Sequence, residues 1–449
     1  MSRIASRTLD VWLSAAAYWY LTGLLAALGF SLGFYLLKPA AGAAGFDRDL
    51  LQAFTWMDGK WYKQIATEGY RYNPESRSNV AFFPVYPLIA RGVIAVSGAR
   101  AEAALLIVSH LSLLAALALL AFYVRRRHAA APCELPDYTL LAAALFPTSC
   151  FFRFAYSEST FLLLAVLGMY AMLRRWRLGS IAAIVGLATA ARPVGVALLA
   201  PLAIHIVRCS VPSLSRRGRA AEHSQRARLR DIAHIGARLA IYLPLACWGL
   251  AAFMAYQQYA FGDAFAAFKA HGHWGVRPDG PWSEKAESLA TLAAVASVYD
   301  DDSPAFWMKA DTHGIPWFSL QFANPILFAG AVVLIALGAW VRVDDRAGKR
   351  GAFGPHGESA DDRLPGSRCL SPEEWSLAAA MLLIPYVARA YEMGMGSMGR
   401  FTCVVFPIYL VLGHLVVRLP GALRAALFAL CGFFLASYAA LYAAGYDIF

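Results

Sequence analysis

The sequence predicts an all-α polytopic membrane protein with about eleven transmembrane helices. Of its 449 residues 59% are hydrophobic and only 15% charged. Apolar runs of about 20 residues, the length that crosses a bilayer, recur along the chain between short charged loops. The runs are continuous rather than alternating, which favours helices over a β-barrel, since a helix satisfies its own backbone in lipid. The formal net charge is +11, but the excess sits in a few loops, where it fixes orientation. With no recognised module beside that charge, no nucleic-acid partner is expected. Seven cysteines without paired spacing indicate neither a disulfide framework nor a zinc site.

Arg3 and Arg7 precede an uncharged run over 11–37 that is too long for a signal-peptide core. It reads as a retained first span with the N-terminus in the cytoplasm. Residues 38–100 then form the first external loop, with amphipathic in-plane helices. Within it Asp58 is followed by Gly59, then by Trp61, Tyr62, Ile65 and Ala66 at helical spacing, and Gly69 can end that helix. Asp58 is either an N-cap or a carboxylate held in direction at the helix start for chemistry. Residues 81–91, interrupted by Pro84 and Pro87 and charged at Arg91, suit an in-plane or tilted segment.

A second span over about 101–124 returns to the cytoplasm at Arg125, Arg126 and Arg127. The third begins near Tyr138 and stops at Pro147; residues 151–159 turn the chain on the far side, and a fourth ends at Arg174, Arg175 and Arg177. The run 178–207 is too long for one span and precedes a basic loop at 208–238. A single crossing would place that charge outside. Two helices broken at Arg192-Pro193 remove the conflict, because proline disfavours helix in the residue before it. Arg192 then faces a polar cavity or an anion, or pairs with a neighbouring helix.

A seventh span covers 239–261, and a large external loop covers 262–316, with eight carboxylates against four Lys or Arg. It carries Asp263, His271, His273 and Trp274. Asp300, Asp301 and Asp302 either ligate a hard divalent cation or form a solvated turn; the two histidines suit local hydrogen bonding rather than a metal. No cofactor is otherwise expected. Further spans over 317–343, 375–391, 401–417 and 422–444 surround a polar cytoplasmic loop at 344–374, which reads as flexible. The chain, 1–449, is one integral membrane domain without an internal repeat.

One face thus collects Asp58, Phe82, Arg153, Tyr156, Glu158, Arg192, Asp263, Trp274 and Arg400. Guanidinium groups suit phosphate oxygens and aromatic faces suit a sugar, although aromatic residues also form ordinary interfacial belts.

Several stretches resemble the PIG-V-type mannosyltransferases in order: Trp56-Met-Asp58-Gly-Lys-Trp-Tyr62 with Gly69-Tyr70, Ala81-Phe-Phe-Pro-Val-Tyr-Pro87, Pro147-Thr-Ser-Cys-Phe-Phe with Ala155-Tyr-Ser-Glu-Ser, Ala191-Arg-Pro-Val-Gly195, Phe261-Gly-Asp-Ala-Phe265, and Arg400 before Phe406-Pro407. Two positions depart from the pattern. Met57 separates Trp56 from Asp58, and Arg153 stands where a small or apolar residue is expected. The resemblance implies a GT-C glycosyltransferase of bacterial type, in an inner membrane with its site on the periplasmic face. It would move a sugar, usually mannose, from a polyprenyl-phosphate donor to a lipid or glycan acceptor.

It also implies that Asp58 is the catalytic base of an inverting displacement. Arg192, Arg400 and Arg153 are then candidates for the donor phosphate. Glu158, Tyr156, Trp61, Tyr62, Trp274 and Asp263 are candidates for acceptor or sugar. Glu158 either orients an acceptor hydroxyl or pairs with an arginine. A flippase of a lipid-linked intermediate would share the spans and arginines without needing Asp58 as a base, and a noncatalytic partner subunit would bind no donor.

Overall fold

The computed structural model describes residues 3–40, 49–129, 131–217, 225–277, 280–310, 315–341 and 368–446. The chain builds α1 (Arg3–Leu36), α2 (Leu50–Ala53), α3 (Asp58–Glu68), α4 (Val85–Ser97), α5 (Ala101–Arg127), α6 (Leu135–Leu145), α7 (Glu158–Leu173), α8 (Leu178–Ala191), α9 (Leu199–Arg217) and α10 (Gln225–Leu245). There follow α11 (Trp248–Phe261), α12 (Ala266–His271), α13 (Trp282–Ala290), α14 (Ala293–Ala296), α15 (Leu320–Trp340), α16 (Pro372–Pro385), α17 (Met398–Cys403), α18 (Pro407–Val417) and α19 (Gly421–Ala443). The protein is an all-α integral membrane protein.

Among the described residues, five helical stretches are long and apolar enough to cross a membrane, or six if the pair formed by α10 and α11, bent by 45°, counts as one. Shorter apolar helices, α4, α6, α7, α8 and α18, carry further hydrophobic sequence. The bend replaces the straight seventh span of the sequence reading. It falls at Ala246 and Cys247, just after Pro244, where a backbone donor is missing. The expected basic loop at 208–238 is largely helix, because α9 runs on to Arg217 and α10 begins at Gln225. Arginine is a good helix former, so these helices continue past their apolar parts. Most of the polar loop at 344–374 lies outside the described residues.

Two features place the site. α1 and α19 run in contact over small residues: a Cβ on Gly29 or Gly33 would lie within 2.3 Å or 2.0 Å of the backbone of Ala436 or Ala440. Such close approach stands in for the hydrophobic drive that lipid removes. The second is direction. Lys63 of α3 pairs with Glu102 at the start of α5, so α5, about 40 Å long, begins beside α3 and delivers Arg125, Arg126 and Arg127 to the opposite end. α7 starts at Glu158, and α8 returns to Arg192 at the same end as that glutamate, since the two side chains meet.

The break after α8 follows the sequence reading. Arg192 is extended, with φ −156° and ψ 152°, and Pro193–Leu198 forms a 3-10 turn before α9. Gly195 is required there, since a Cβ would meet the Ala188 carbonyl oxygen at 2.2 Å.

Candidate active site

Asp58 opens α3, and the residue before it, Met57, has φ 52° and ψ −113°, a conformation that an L-residue adopts only under constraint. The constraints are visible. Gly59 N–H donates to the Trp56 carbonyl at 3.0 Å, and the Tyr442 hydroxyl donates to the same oxygen at 2.8 Å. At the far end of α3, Gly69 has φ 94°, and Arg91 donates to the carbonyls of Ala66 and Ile65, both at 2.8 Å. The Ala66 carbonyl is a group that a helix end otherwise leaves unsatisfied, and the Ile65 carbonyl also accepts from Gly69 N–H at 3.1 Å. Met57 rather than Asp58 occupies the N-cap position, so the capping reading of Asp58 gives way to a different partner.

That partner is Arg400. Its Nη1 lies 2.5 Å from Asp58 Oδ2, and its Nε donates to Glu158 Oε1. The same glutamate oxygen lies 2.6 Å from Arg192 Nη1, which also donates to Ser157 Oγ at 3.2 Å. Ser157 Oγ lies 2.8 Å from the Tyr62 hydroxyl. Asp58, Arg400, Glu158 and Arg192 therefore form one chain of alternating charge that sums to zero. Asp58 is 19% exposed, against 6% for Arg400, 0% for Glu158 and 9% for Arg192, so the aspartate is its accessible end. Glu158 serves both arginines through one oxygen; its Oε2 is buried without a hydrogen-bond partner among the described residues.

The arginine is positioned as firmly as the aspartate. Asn324 of α15 accepts from Gly399 N–H at 2.9 Å, and Thr148 donates to the Gly399 carbonyl at 2.8 Å. Ser397, just before α17, has φ 64°. The Arg400 guanidinium lies over the Tyr156 ring at 4.5 Å and Phe151 at 5.5 Å. Arg192 lies over Phe401 at 5.9 Å.

Beside the charge chain, Trp61, Phe82 and Trp274 form an aromatic group with ring centroids 5.9 to 6.1 Å apart. Lys60 Nζ stands 5.3 Å over the Trp61 ring and 5.9 Å over Trp56. It forms no ion pair among the described residues. Trp61 is three residues on from Asp58, so one face of α3 presents both.

The structure thus joins Asp58, Glu158, Arg192 and Arg400, with Tyr62 and Tyr156 packed against them, and sets Trp61 and Trp274 alongside. Two expected residues lie elsewhere. Arg153 is buried against α1, donating from Nη2 to the Trp19 carbonyl at 2.8 Å and to Thr22 Oγ1 at 2.5 Å. Gly23 makes that room, since a Cβ there would meet Arg153 at 2.8 Å. Asp263 closes its own turn, accepting from Phe265 N–H and pairing with Lys269 at 2.6 Å. The Lys269 hydrogen bond holds its carboxyl below the usual range.

His271 and His273 make local bonds, to the Ala267 carbonyl at 2.7 Å and the Pro74 carbonyl at 2.9 Å. Burial pushes the His271 imidazole down to about 4. Asp300, Asp301 and Asp302 are exposed, with ligand atoms within 4.8 Å of one another, and Asp302 N–H donates back to Asp300 at 3.2 Å, as in an ordinary turn. Sequence reasoning missed Ser157 and Lys60. Both lie inside the motif stretches, but nothing in their spacing shows what they face.

The family model described as mannosyltransferase (PIG-V) matches residues 36–294, more than half of the chain. The chain belongs to the PIG-V mannosyltransferase family. The range matched to the PIG-V family includes Asp58, Ser157, Glu158 and Arg192 and stops short of Arg400. No curated protein matches the chain. Among solved structures, this PIG-V family member is similar to the Archaeoglobus fulgidus oligosaccharyltransferase, crystallised in complex with zinc and sulfate. The TM-score is 0.38 and the identity 13% over 93% of this chain and 52% of that one. The chain spans about half the length of that protein.

Proposed function

We propose that the protein is a GT-C glycosyltransferase that moves mannose from a polyprenyl-phosphate donor to a lipid or glycan acceptor, inverting the anomeric carbon, with Asp58 as general base. The observation that carries this reading is the position of Asp58 at the accessible end of the charge chain. Arg400 directs its carboxylate, and the contacts at both ends of α3 hold the helix that carries it. A general base needs this placement within reach of the proton it takes.

In the proposed step the acceptor oxygen attacks the anomeric carbon as Asp58 removes its proton. The bond to the donor phosphate oxygen breaks with its electron pair leaving on the lipid phosphate. Arg192 and Arg400 offer fixed positive charge beside that leaving group, which counts most where negative charge develops. Both are also held by Glu158, whereas Lys60, over the Trp61 and Trp56 rings, forms no ion pair among the described residues and is a further candidate for direct phosphate contact. The rings of Trp61, Phe82 and Trp274 suit the apolar face of a sugar. The clusters Arg125–Arg127 and Arg174–Arg177 lie at the helix ends away from Asp58, and the positive-inside bias supports a site on the non-cytoplasmic side, periplasmic in a bacterium.

The test of this reading is the stereochemistry of transfer. Incubation of the purified protein with polyprenyl phosphate mannose and membrane lipid extracts should give a product whose anomeric configuration, read by NMR, is opposite to the donor's. Retained configuration would contradict a single displacement by an acceptor activated at Asp58.

A further inference from the structure

Away from the charge chain, α9, α15 and α16 enclose an apolar groove of about 1060 Å³, lined by Ile204, Phe328, Val332, Ala336, Ala379 and Leu383 among others. Val332 and Leu383 are well exposed, so the groove opens sideways toward lipid. Its two ends differ. At one, Phe328 and Tyr386 stack with centroids 5.1 Å apart, and the Tyr386 hydroxyl is tied to the Leu289 carbonyl at 2.7 Å. This end packs in the same apolar cluster as Met398 of α17. At the other end stand Trp340, Trp375 and Arg368.

Arg368 is exposed and forms no ion pair among the described residues, whereas nearby Arg208 is paired with Glu373 at 2.6 Å. Among the described residues, the mouth therefore carries a positive charge without an ion-pair partner between two tryptophans, the residue type that favours a headgroup level. From Phe328 to Trp340 the helix rises about 18 Å. Half of a hydrocarbon core is about 15 Å, so the groove can take a full acyl chain from one leaflet.

We infer that this groove holds an anionic diacyl phospholipid of the leaflet opposite Asp58, its phosphate at Arg368 and an acyl chain running to the Phe328–Tyr386 stack. The polarity of the groove separates this lipid from a donor, whose phosphate must lie at the Asp58 end. The inference does not depend on the proposed transfer reaction.

The test uses the full-length protein in mild detergent, offered equal amounts of phosphatidylglycerol and phosphatidylcholine and read by native mass spectrometry. Wild type should retain one phosphatidylglycerol, favoured about fivefold, the value of one basic residue near a charged headgroup. Arg368→Gln should still bind one lipid but lose the preference. Ala379→Trp, which fills the groove, should lose the retained lipid while eluting as wild type does. Equal retention of the two lipids by wild type, full retention by Ala379→Trp, a second copy of the chain covering the groove, or displacement of phosphatidylglycerol by polyprenyl phosphate would each overturn the inference.

Discussion

Arg400 Nη1 contacts Asp58 Oδ2 at 2.5 Å across 342 positions of sequence, joining the segment that follows α1 to the last quarter of the chain. The same guanidinium reaches Glu158 through Nε. One planar side chain therefore sets the direction of the accessible carboxylate and ties it to the buried one. Lysine, with a single ammonium, cannot hold both in this geometry.

Arg400→Lys should accordingly keep the charge but lose the fork. Transfer should fall about 10²-fold or more, the range seen when one preorganised donor is removed from a site. Initial rates of mannose transfer, with donor binding measured separately, check this. A rate near that of wild type would mean that Asp58 needs no such support.

Glu158→Gln leaves Arg400 and Arg192 facing each other with no anion between them. Breaking a buried pair in this way costs about 3–5 kcal/mol, so the melting temperature in detergent should drop sharply. The double variant Glu158→Gln with Arg192→Gln should recover part of the loss, because the residues share one network. Simple additivity of the two losses would show that the network is not a unit.

Gly195→Ala puts a methyl group within 2.2 Å of the Ala188 carbonyl oxygen. The turn after α8 must move, and Arg192 with it. Overpacking of this kind costs about 1–3 kcal/mol, and transfer should fall as well. A variant with lowered stability but unchanged transfer would place Arg192 outside the reaction.

Asp263→Asn and Arg153→Met separate the residues that the structure sets apart from the charge chain. Asp263 pairs with Lys269 on the surface, and its loss should leave transfer unchanged. Arg153 is buried against α1, so its replacement should act on stability and expression rather than on donor binding. A selective loss of donor affinity in either variant contradicts this placement.

His271 gives a pH dependence. In the unfolded chain an imidazole titrates near 6.5, whereas in the folded protein burial holds it at about 4. On acidification the unfolded state takes up the proton first, so stability from this group is full above about pH 6.5. It is lost progressively down to about pH 4, with no further loss below. Melting temperatures measured across this window should fall for wild type and flatten in His271→Gln. Parallel curves would assign the acid loss to other groups.

The break at Arg192-Pro193 was legible in sequence because proline chemistry and the charge of the following segment agree. Asp58 was legible as a directed carboxylate because Gly69 and the spacing of Tyr62, Ile65 and Ala66 mark its helix. Its pairing with Arg400 was not, since no local pattern reports a contact made between distant helix ends. Arg153 shows the same limit in reverse. It lies five residues from Glu158 in a motif stretch, yet its side chain leaves toward α1, and only Gly23 on a distant helix marks the opening.

The most direct test of the central claim compares wild type and Asp58→Asn in transfer of radiolabelled mannose from polyprenyl phosphate mannose, with donor binding measured on both. The account predicts product from wild type, unchanged donor binding in the variant, and loss of its product. Equal product from the two proteins would remove Asp58 from the chemistry and contradict the account.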